Sequence, residues 1–302
     1  MADSQEFEVM IIGGSYAGLS AAMSLGRALR KVLVIDGGQP CNRQTPHSHN
    51  FLTQDGQKPQ EIANIALAQI AAYKTVQFYK GLATHATKTA KGFVVDVENE
   101  VVFHAKKLIF ATGLKDLMPD IEGFAACWGI SVVHCPYCHG YEIHHQKTGV
   151  IANGDAAFHY AQLINNWTKD LTIFTNGAST LSEEQQAKIK KHQIKIVDTP
   201  IERLIHTAGK IEKMALTDGS TIALDAIYSR PAFVQHSGIP EALGCELTEN
   251  GLIKIDNFQK TNVADVFACG DNSNPMRSVA MAVASGSAAG AMVNHELINE
   301  AF

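Results

Sequence analysis

The chain has 302 residues, of which 46% are hydrophobic and 18% charged, with 24 glycines, proportions ordinary for a globular protein. That length points to about two domains, because single cores stop growing beyond roughly 250–300 residues, and no apolar run approaches the ~20 residues that a bilayer requires. The net charge of −5 argues against nucleic acid, and Asp3, Glu6 and Glu8 stand where a secretory signal would be basic, so a cytoplasmic protein with neither a membrane nor a nucleic-acid partner is expected.

In chain order, Phe7–Ile12 reads as a short buried strand, followed by the turn Gly13-Gly14-Ser15-Tyr16-Ala17-Gly18 and a helix over Leu19–Leu29. The β-branched run Lys31–Asp36 is a second buried strand, which completes a βαβ unit in about 30 residues. Residues 37–60 lack periodicity and read as a long loop over a site, and Pro59–Tyr73 reads as a helix. Alternation at Phe93–Val97 and Val101–Phe103 suggests a small antiparallel meander, and Lys107–Gly113 another buried strand ending in Thr112-Gly113. The order then repeats: a strand over Val150–Ala152, a turn at Asn153–Ala157, a helix over Phe158–Trp167 and a strand over Leu171–Thr175. Further strands are expected at Lys195–Val197, Ile222–Leu224 and Ala226–Ser229. Val266–Asp271 is a strand ending in Gly270-Asp271, before a small-residue helix over Val279–Leu297.

The first turn fits G-x-G-x-x-G imperfectly, with Ser15 at the middle glycine. Gly13 permits the tight turn, Ser15 is small enough for backbone to approach a pyrophosphate, and Gly18 lets helix and strand touch. The helix start offers unpaired N–H groups to the anion, and Asp36, followed by Gly37, stands where an acid meets an adenosine ribose hydroxyl. Six cysteines are too few for a secreted disulfide scaffold. Cys135 and Cys138 form a C-x-x-C, while Cys41, Cys127, Cys245 and Cys269 are scattered and read as small packing residues.

Taken together, Gly13–Gly18, Ala111-Thr112-Gly113, Cys135-Pro136-Tyr137-Cys138, Asn153-Gly154-Asp155 and Phe267–Asp271 resemble the low-molecular-weight thioredoxin reductase family and its thioredoxin-reductase-like relatives, from end to end. The resemblance implies an α/β fold with two Rossmann-like, three-layer dinucleotide-binding domains, the second inserted into the first. Residues 1–114 and 233–302 would form the FAD domain, and 115–232 an NAD(P)-binding-like domain carrying the C-x-x-C. It implies that Asp271 bonds the ribityl chain, and that the helix start at Val279 and Ala280 faces the flavin's pyrimidine edge, where it stabilises charge on reduced flavin. Arg43 would serve the pyrophosphate and Asn50 the isoalloxazine. A homodimer is expected from the resemblance alone.

The C-x-x-C carries the main chemical signal, since two such thiols can close a small ring and a helix start depresses a thiol pKa. A zinc site needs four ligands, commonly a second C-x-x-C or an H-x-x-x-H, and His134, His139, His144 and His145 are nearby; the flanking modules are of nucleotide type, and a redox disulfide is favoured over zinc. By resemblance Cys138 faces the flavin and Cys135 meets the substrate. His139, where relatives often carry an acid, is a candidate acid–base, and the other three histidines read as surface residues. The second turn, with Gly154, Asp155 and Ala156 as candidate nucleotide contacts, has Ala152 at its first glycine position. Thr175-Asn176-Gly177 replaces the arginines with which relatives hold a 2′-phosphate, and this chain has no arginine between Arg43 and Arg203. Use of NAD(P)H is therefore left open beside FAD. The expected function is electron transfer between FAD and Cys135–Cys138, and on to a thioredoxin-like protein or a small disulfide or dithiol. The alternatives are an oxygen-using dithiol oxidase and a flavin redox sensor without turnover.

Overall fold

The structure, a computed structural model, describes residues 6–302; Asp3, read above as part of an acidic start, lies outside them. The elements run β1 (Glu6–Ile12), α1 (Tyr16–Arg27), β2 (Val32–Asp36), α2 (Pro59–Ile70), β3 (Val76–Lys80), β4 (Ala83–Thr89), β5 (Gly92–Val97), β6 (Val101–Phe110) and β7 (Leu114–Leu117). Next come α3 (Phe124–Cys127), β8 (Val132–Val133), α4 (Pro136–His139), β9 (Thr148–Ile151), α5 (Gly154–Ile164), β10 (Leu171–Phe174), α6 (Glu183–Lys191) and β11 (Lys195–Val197). The remainder is β12 (Ile201–Thr207), β13 (Lys210–Leu216), β14 (Thr221–Ala223), β15 (Ala226–Ser229), β16 (Ala232–Gln235), α7 (Ile239–Ala242), β17 (Val266–Ala268) and α8 (Val279–Ala301).

The chain divides into two compact units, one taking in residues up to Arg43, Phe51–Lys115 and Phe233–Phe302, the other Gln44–Asn50 and Asp116–Ala232. Gln44–Asn50, and with it Asn50, was expected in the first domain and groups with the second instead. In the first unit a seven-stranded sheet runs β3-β2-β1-β6-β5-β4, with β17 also paired to β6. Its β1, β2, β3 and β17 are parallel to their neighbours, while β4 and β5 are antiparallel. The ten-residue β6 joins the two patterns: Val101–Ala105 pairs with β5 and Leu108–Phe110 with β17. The two strands predicted over this stretch are therefore one, because the chain continues straight while its neighbour changes.

Two cores cover this sheet. Helices α1 and α8 pack together on one face over Val9, Ile11, Val34 and Ile109; Phe7, Met10, Leu33 and Phe110 face the other side, under the β4–β5 meander. The small residues of α8 permit close packing: a Cβ on Gly286 would lie 2.1 Å from the Ala17 carbonyl oxygen, and the Ser20 hydroxyl donates to Val283 O at 2.7 Å.

The second unit holds a parallel sheet in the order β11-β10-β9-β15-β8 and an antiparallel sheet β12-β13-β14. Its α5 starts at Gly154 and ends at Ile164, not over Phe158–Trp167 as expected, because Asn153 caps it, its side chain accepting from Gly154 N at 2.8 Å. Helix α6 and strands β12 and β13 were not anticipated. The first opens on a Ser182–Gln185 capping box, and the strands alternate too weakly to stand out. Among the described residues, no helix is long and apolar enough to cross a membrane.

Candidate functional site

The first glycine turn joins β1 to α1 without space for side chains. Gly13 has φ +108°, and a Cβ there would lie 2.2 Å from the Ala111 carbonyl oxygen; a Cβ on Gly18 would lie 1.8 Å from Gly13 O. Asp36, at the end of β2, holds the turn from below: one carboxylate oxygen accepts from Gly14 N at 3.0 Å and the other from Gly38 N at 3.2 Å. Ser15 and Ala17 complete the turn, and the Ser15 side chain makes no capping bond, so the first-turn amides of α1 have no partner within the helix. A cavity of about 740 Å³ opens here, lined by Gly13, Asp36, Gly37, Gly38, Thr112 and His236 among others. The glycine turn at the head of α1 and the Asp36 carboxylate beside this cavity suit the diphosphate and ribose of a dinucleotide.

Across the same unit, Gly270 and Asp271 follow β17. Gly270 N donates to Ser285 Oγ at 3.0 Å, Asp271 faces Arg277 at 3.4 Å, and Ser278 caps α8 through Met281 N at 3.2 Å, just ahead of Val279 and Ala280. Sequence reasoning missed Asn272, which is fully buried. Its Nδ2 donates to Phe110 O at 2.9 Å and to Thr112 Oγ1 at 3.3 Å, tying this loop to the Thr112-Gly113 strand end. Its Oδ1 has no protein partner, an orphaned acceptor of the kind a bound group or water satisfies. The signal in the sequence was only a polar residue directly after Gly-Asp. Arg43 is exposed, its guanidinium donating to Pro40 O at 3.3 Å, and Asn50 is exposed with φ +60°.

In the second unit, Cys135 and Cys138 are disulfide-bonded, with Cα atoms 5.3 Å apart. Cys135 is extended at the head of α4, Pro136 sets the first helical φ, and Cys138 N donates to Cys135 O at 3.2 Å, so one turn of helix brings the sulfurs together. Both cysteines are partly buried, and Tyr137 stands exposed with its ring edge-on to Trp167. Burial, and then the charge of His49, lower the His139 pKa to about 4, so this ring is neutral near pH 7. His134 is not the surface residue expected, since it stacks on Trp128 and its carbonyl accepts from Tyr160 Oη at 3.0 Å; His144 and His145 are exposed.

Cys135 and Cys138 are bonded to each other here rather than presented as two thiolates. Among the described residues, the only cluster of at least three metal-type ligands is Asp265, Glu296 and Glu300, and the Lys107 ammonium already bonds all three. Cys127, Cys245 and Cys269 are buried, and burial pushes Cys269 up to about 12, which leaves it inert; Cys41 is exposed.

The second turn is held by its own residues. Asn153 Oδ1 accepts from Gly154 N and Thr180 N at 2.8 Å each and from Thr180 Oγ1 at 3.1 Å, while its Nδ2 donates to Ala178 O at 2.9 Å. Asp155 accepts from Gln185 Nε2 at 2.7 Å, and Ala156 is an exposed residue of the first turn of α5. Gly154, Asp155 and Ala156 therefore belong to a helix start drawn against residues 178–180. Beyond β10, the buried Thr175 hydroxyl donates to Gly177 O at 2.7 Å and Asn176 Oδ1 accepts from Ile201 N at 2.8 Å. Both side chains are committed to their own backbone.

The family model described as pyridine nucleotide-disulphide oxidoreductase matches residues 7–286, and this chain belongs to that family. It is 33% identical to thioredoxin reductase tcpT of Claviceps purpurea over 99% of this chain and 96% of that protein. Among solved structures, it resembles an oxidoreductase from Agrobacterium tumefaciens (38% identity, TM-score 0.92, covering 98% and 99% of the two chains). It also resembles a putative thioredoxin reductase TrxB from Bacillus anthracis (30%, TM-score 0.93, 98% and 100%). The protein is accordingly a thioredoxin-reductase-like, FAD-dependent oxidoreductase of mixed α/β fold.

Proposed function

We propose that this enzyme exchanges electrons between FAD and the Cys135–Cys138 disulfide and passes them to or from a thiol or disulfide substrate. The observation that carries this reading is the closed C-x-x-C disulfide in a chain whose other unit presents a glycine turn fit for a dinucleotide. Gly13, Gly14, Ser15, Ala17 and Gly18 would receive the pyrophosphate, Asp36 and Gly37 the adenosine, and Thr112, Gly113, Gly270, Asp271, Val279 and Ala280 the flavin half. FAD, when bound, supplies a two-electron couple matched to a dithiol–disulfide pair.

The residues of the chain perform the exchange. A substrate thiolate attacks Cys135 Sγ, the Sγ–Sγ bond breaks, and Cys138 leaves as thiolate with the electron pair. The second substrate thiolate then attacks its own sulfur in the mixed disulfide and releases Cys135. The substrate loses two electrons and two protons, and the protein disulfide gains the two electrons; reduction of a substrate disulfide is the same sequence reversed. Anaerobic mixing with dithiothreitol tests the reading. Cys135→Ser is expected to abolish exchange, Cys138→Ser to break flavin–thiol coupling, and both to retain flavin. A double variant that turns over at the wild-type rate refutes it.

A second reading, an oxygen-using dithiol oxidase with little NAD(P)H use, is favoured by the second turn. Discrimination for NADPH rests on guanidinium contacts worth about 1.5–3 kcal/mol each, and Thr175-Asn176-Gly177 supplies none. Losing two or three such contacts weakens NADPH binding by about two to six powers of ten. In stopped-flow flavin reduction, NADPH is expected to be slow and to show little preference over NADH. Fast reduction saturating at micromolar NADPH, with NADH far weaker, restores the reductase direction.

A further inference from the structure

We propose that Tyr160 and Trp167 clamp the Cys135–Cys138 turn to helix α5 in the shape that closes the disulfide, and so set how readily a thiol opens it. The inference rests on the function proposed above and adds positioning residues to it. The turn has little structure of its own to fix it: α4 is a single turn, Pro136–His139, entered from the two-residue strand β8. Its placement therefore depends on what packs against it.

Helix α5 supplies a hold at both ends. Its buried residues Ala157, Tyr160, Ala161 and Ile164 share one core with Val133 of β8 and Tyr228 of β15. From that core Tyr160 Oη donates at 3.0 Å to His134 O, the carbonyl directly before Cys135. Trp167 comes seven residues after Tyr160, two helical turns on, and Trp167 N donates to Ile164 O at 2.9 Å, so the chain keeps winding until the indole is placed. The indole closes on the exit of the redox turn. A Cβ on Gly140 would lie 2.8 Å from Trp167 Nε1 and 2.4 Å from Pro136 O, so the absence of a side chain at Gly140 is what lets the two approach. The Tyr137 ring, between the two cysteines in the chain, meets Trp167 edge-on with centroids 5.7 Å apart. Trp167 O accepts from His145 N at 2.9 Å, which ties down the segment leaving the turn. Tyr160 and Trp167 act on the backbone and on Tyr137, and are positioning residues.

When a dithiol opens this disulfide, the Sγ–Sγ bond breaks, Cys135 and Cys138 gain two electrons and two protons, and the donor closes a disulfide of its own. The protein sulfurs then part to non-bonded contact, which a one-turn helix accommodates by shifting against its supports. Supports that resist the shift favour the closed form, and they keep the two thiols within reach of each other for reclosure. Removing a support therefore makes the disulfide easier to open.

The test equilibrates holoenzyme anaerobically in mixtures of reduced and oxidised dithiothreitol, quenches with acid, and counts Cys135 and Cys138 thiols by alkylation and mass spectrometry. Tyr160→Phe keeps the ring in the core and loses the hydroxyl; Trp167→Phe keeps an aromatic ring and loses the indole edge against Gly140. Each is expected to reach half-opening at a ratio of reduced to oxidised dithiothreitol about two- to tenfold below the wild type, the span of one net hydrogen bond. Ser182→Ala, which removes the cap of α6 elsewhere in the same unit, is the control and is expected to leave the midpoint in place. An unchanged midpoint in folded, yellow Tyr160→Phe overturns the hold at the entry of the turn, and in Trp167→Phe the hold at its exit, so misfolding of one variant leaves the other to decide. An equal shift in Ser182→Ala overturns both, since general loosening of the unit then explains the effect. If no ratio opens the wild-type Cys135–Cys138 bond, the function proposed above fails instead.

Discussion

Replacing Gly18 with alanine places one methyl group where the structure has none to spare. Its Cβ would lie 1.8 Å from Gly13 O and 3.0 Å from Gly13 C, whereas real Cβ contacts essentially never fall below 3.0 Å. The obstacle is backbone, so no rotamer relieves it, and the start of α1 must part from the turn by more than an ångström. The fold bears about 1–3 kcal/mol of overpacking, partly offset by about 0.5–1 kcal/mol from alanine's better helix propensity. Flavin binding bears more. A shift of that size takes first-turn amides out of hydrogen-bond range of a diphosphate, and each charge-assisted contact is worth about 1.5–3 kcal/mol. Losing one or two of them weakens FAD by about tenfold to ten-thousandfold. The assay is FAD titration of apoprotein followed by flavin fluorescence, with gel filtration to count flavin, expected at one per chain in the wild type. Gly219→Ala is the control: its φ of +83° is strained for alanine, yet nothing lies within 4 Å of its Cβ and it sits in the β13–β14 turn. Gly18→Ala protein that binds FAD as tightly as the wild type refutes the assignment of this turn to the cofactor.

Lys107→Met removes a 1%-exposed ammonium that donates to Asp265 at 2.6 Å, Glu296 at 3.0 Å and Glu300 at 2.6 Å, and is expected to cost about 2–4 kcal/mol in urea unfolding, discounted because the carboxylates reach solvent. Burial raises the Glu296 pKa, but Lys260 and Lys107 together hold it below 4.5, so its contribution is present above pH 4.5 and lost as pH falls through the folded value; this acid limb should shrink in the variant. His139 is depressed from 6.5 to about 4, so the unfolded chain binds the extra proton between those values. Stability should therefore fall by at most about 3 kcal/mol as pH drops from 6.5 to 4, and His139→Asn should flatten that slope; an unchanged slope refutes it.

Local chemistry made the first βαβ unit, the C-x-x-C and the buried parallel strands legible in the sequence. Gly13, Gly18 and Asp36 act within one turn and two adjacent strands, and Pro136 and Cys138 within one helical turn, so residue type and spacing carry the information. Helix starts were read late at both turns because the glycine-containing turns were counted as loop up to Gly18 and Ala157, whereas α1 starts at Tyr16 and α5, capped by Asn153, at Gly154. Asn272 and the Lys107 cluster were not legible, because their partners lie 162 residues away at Phe110 and 193 away at Glu300, and no short-range pattern records such a meeting. The same holds for His49 beside Glu142 and for Asn153 beside Thr180. Sequence alone marked the residue types and spacings that suit redox and dinucleotide chemistry; only the tertiary structure decided which distant side chains meet, because hydrogen bonds and ion pairs between distant segments form only after the sheets have packed.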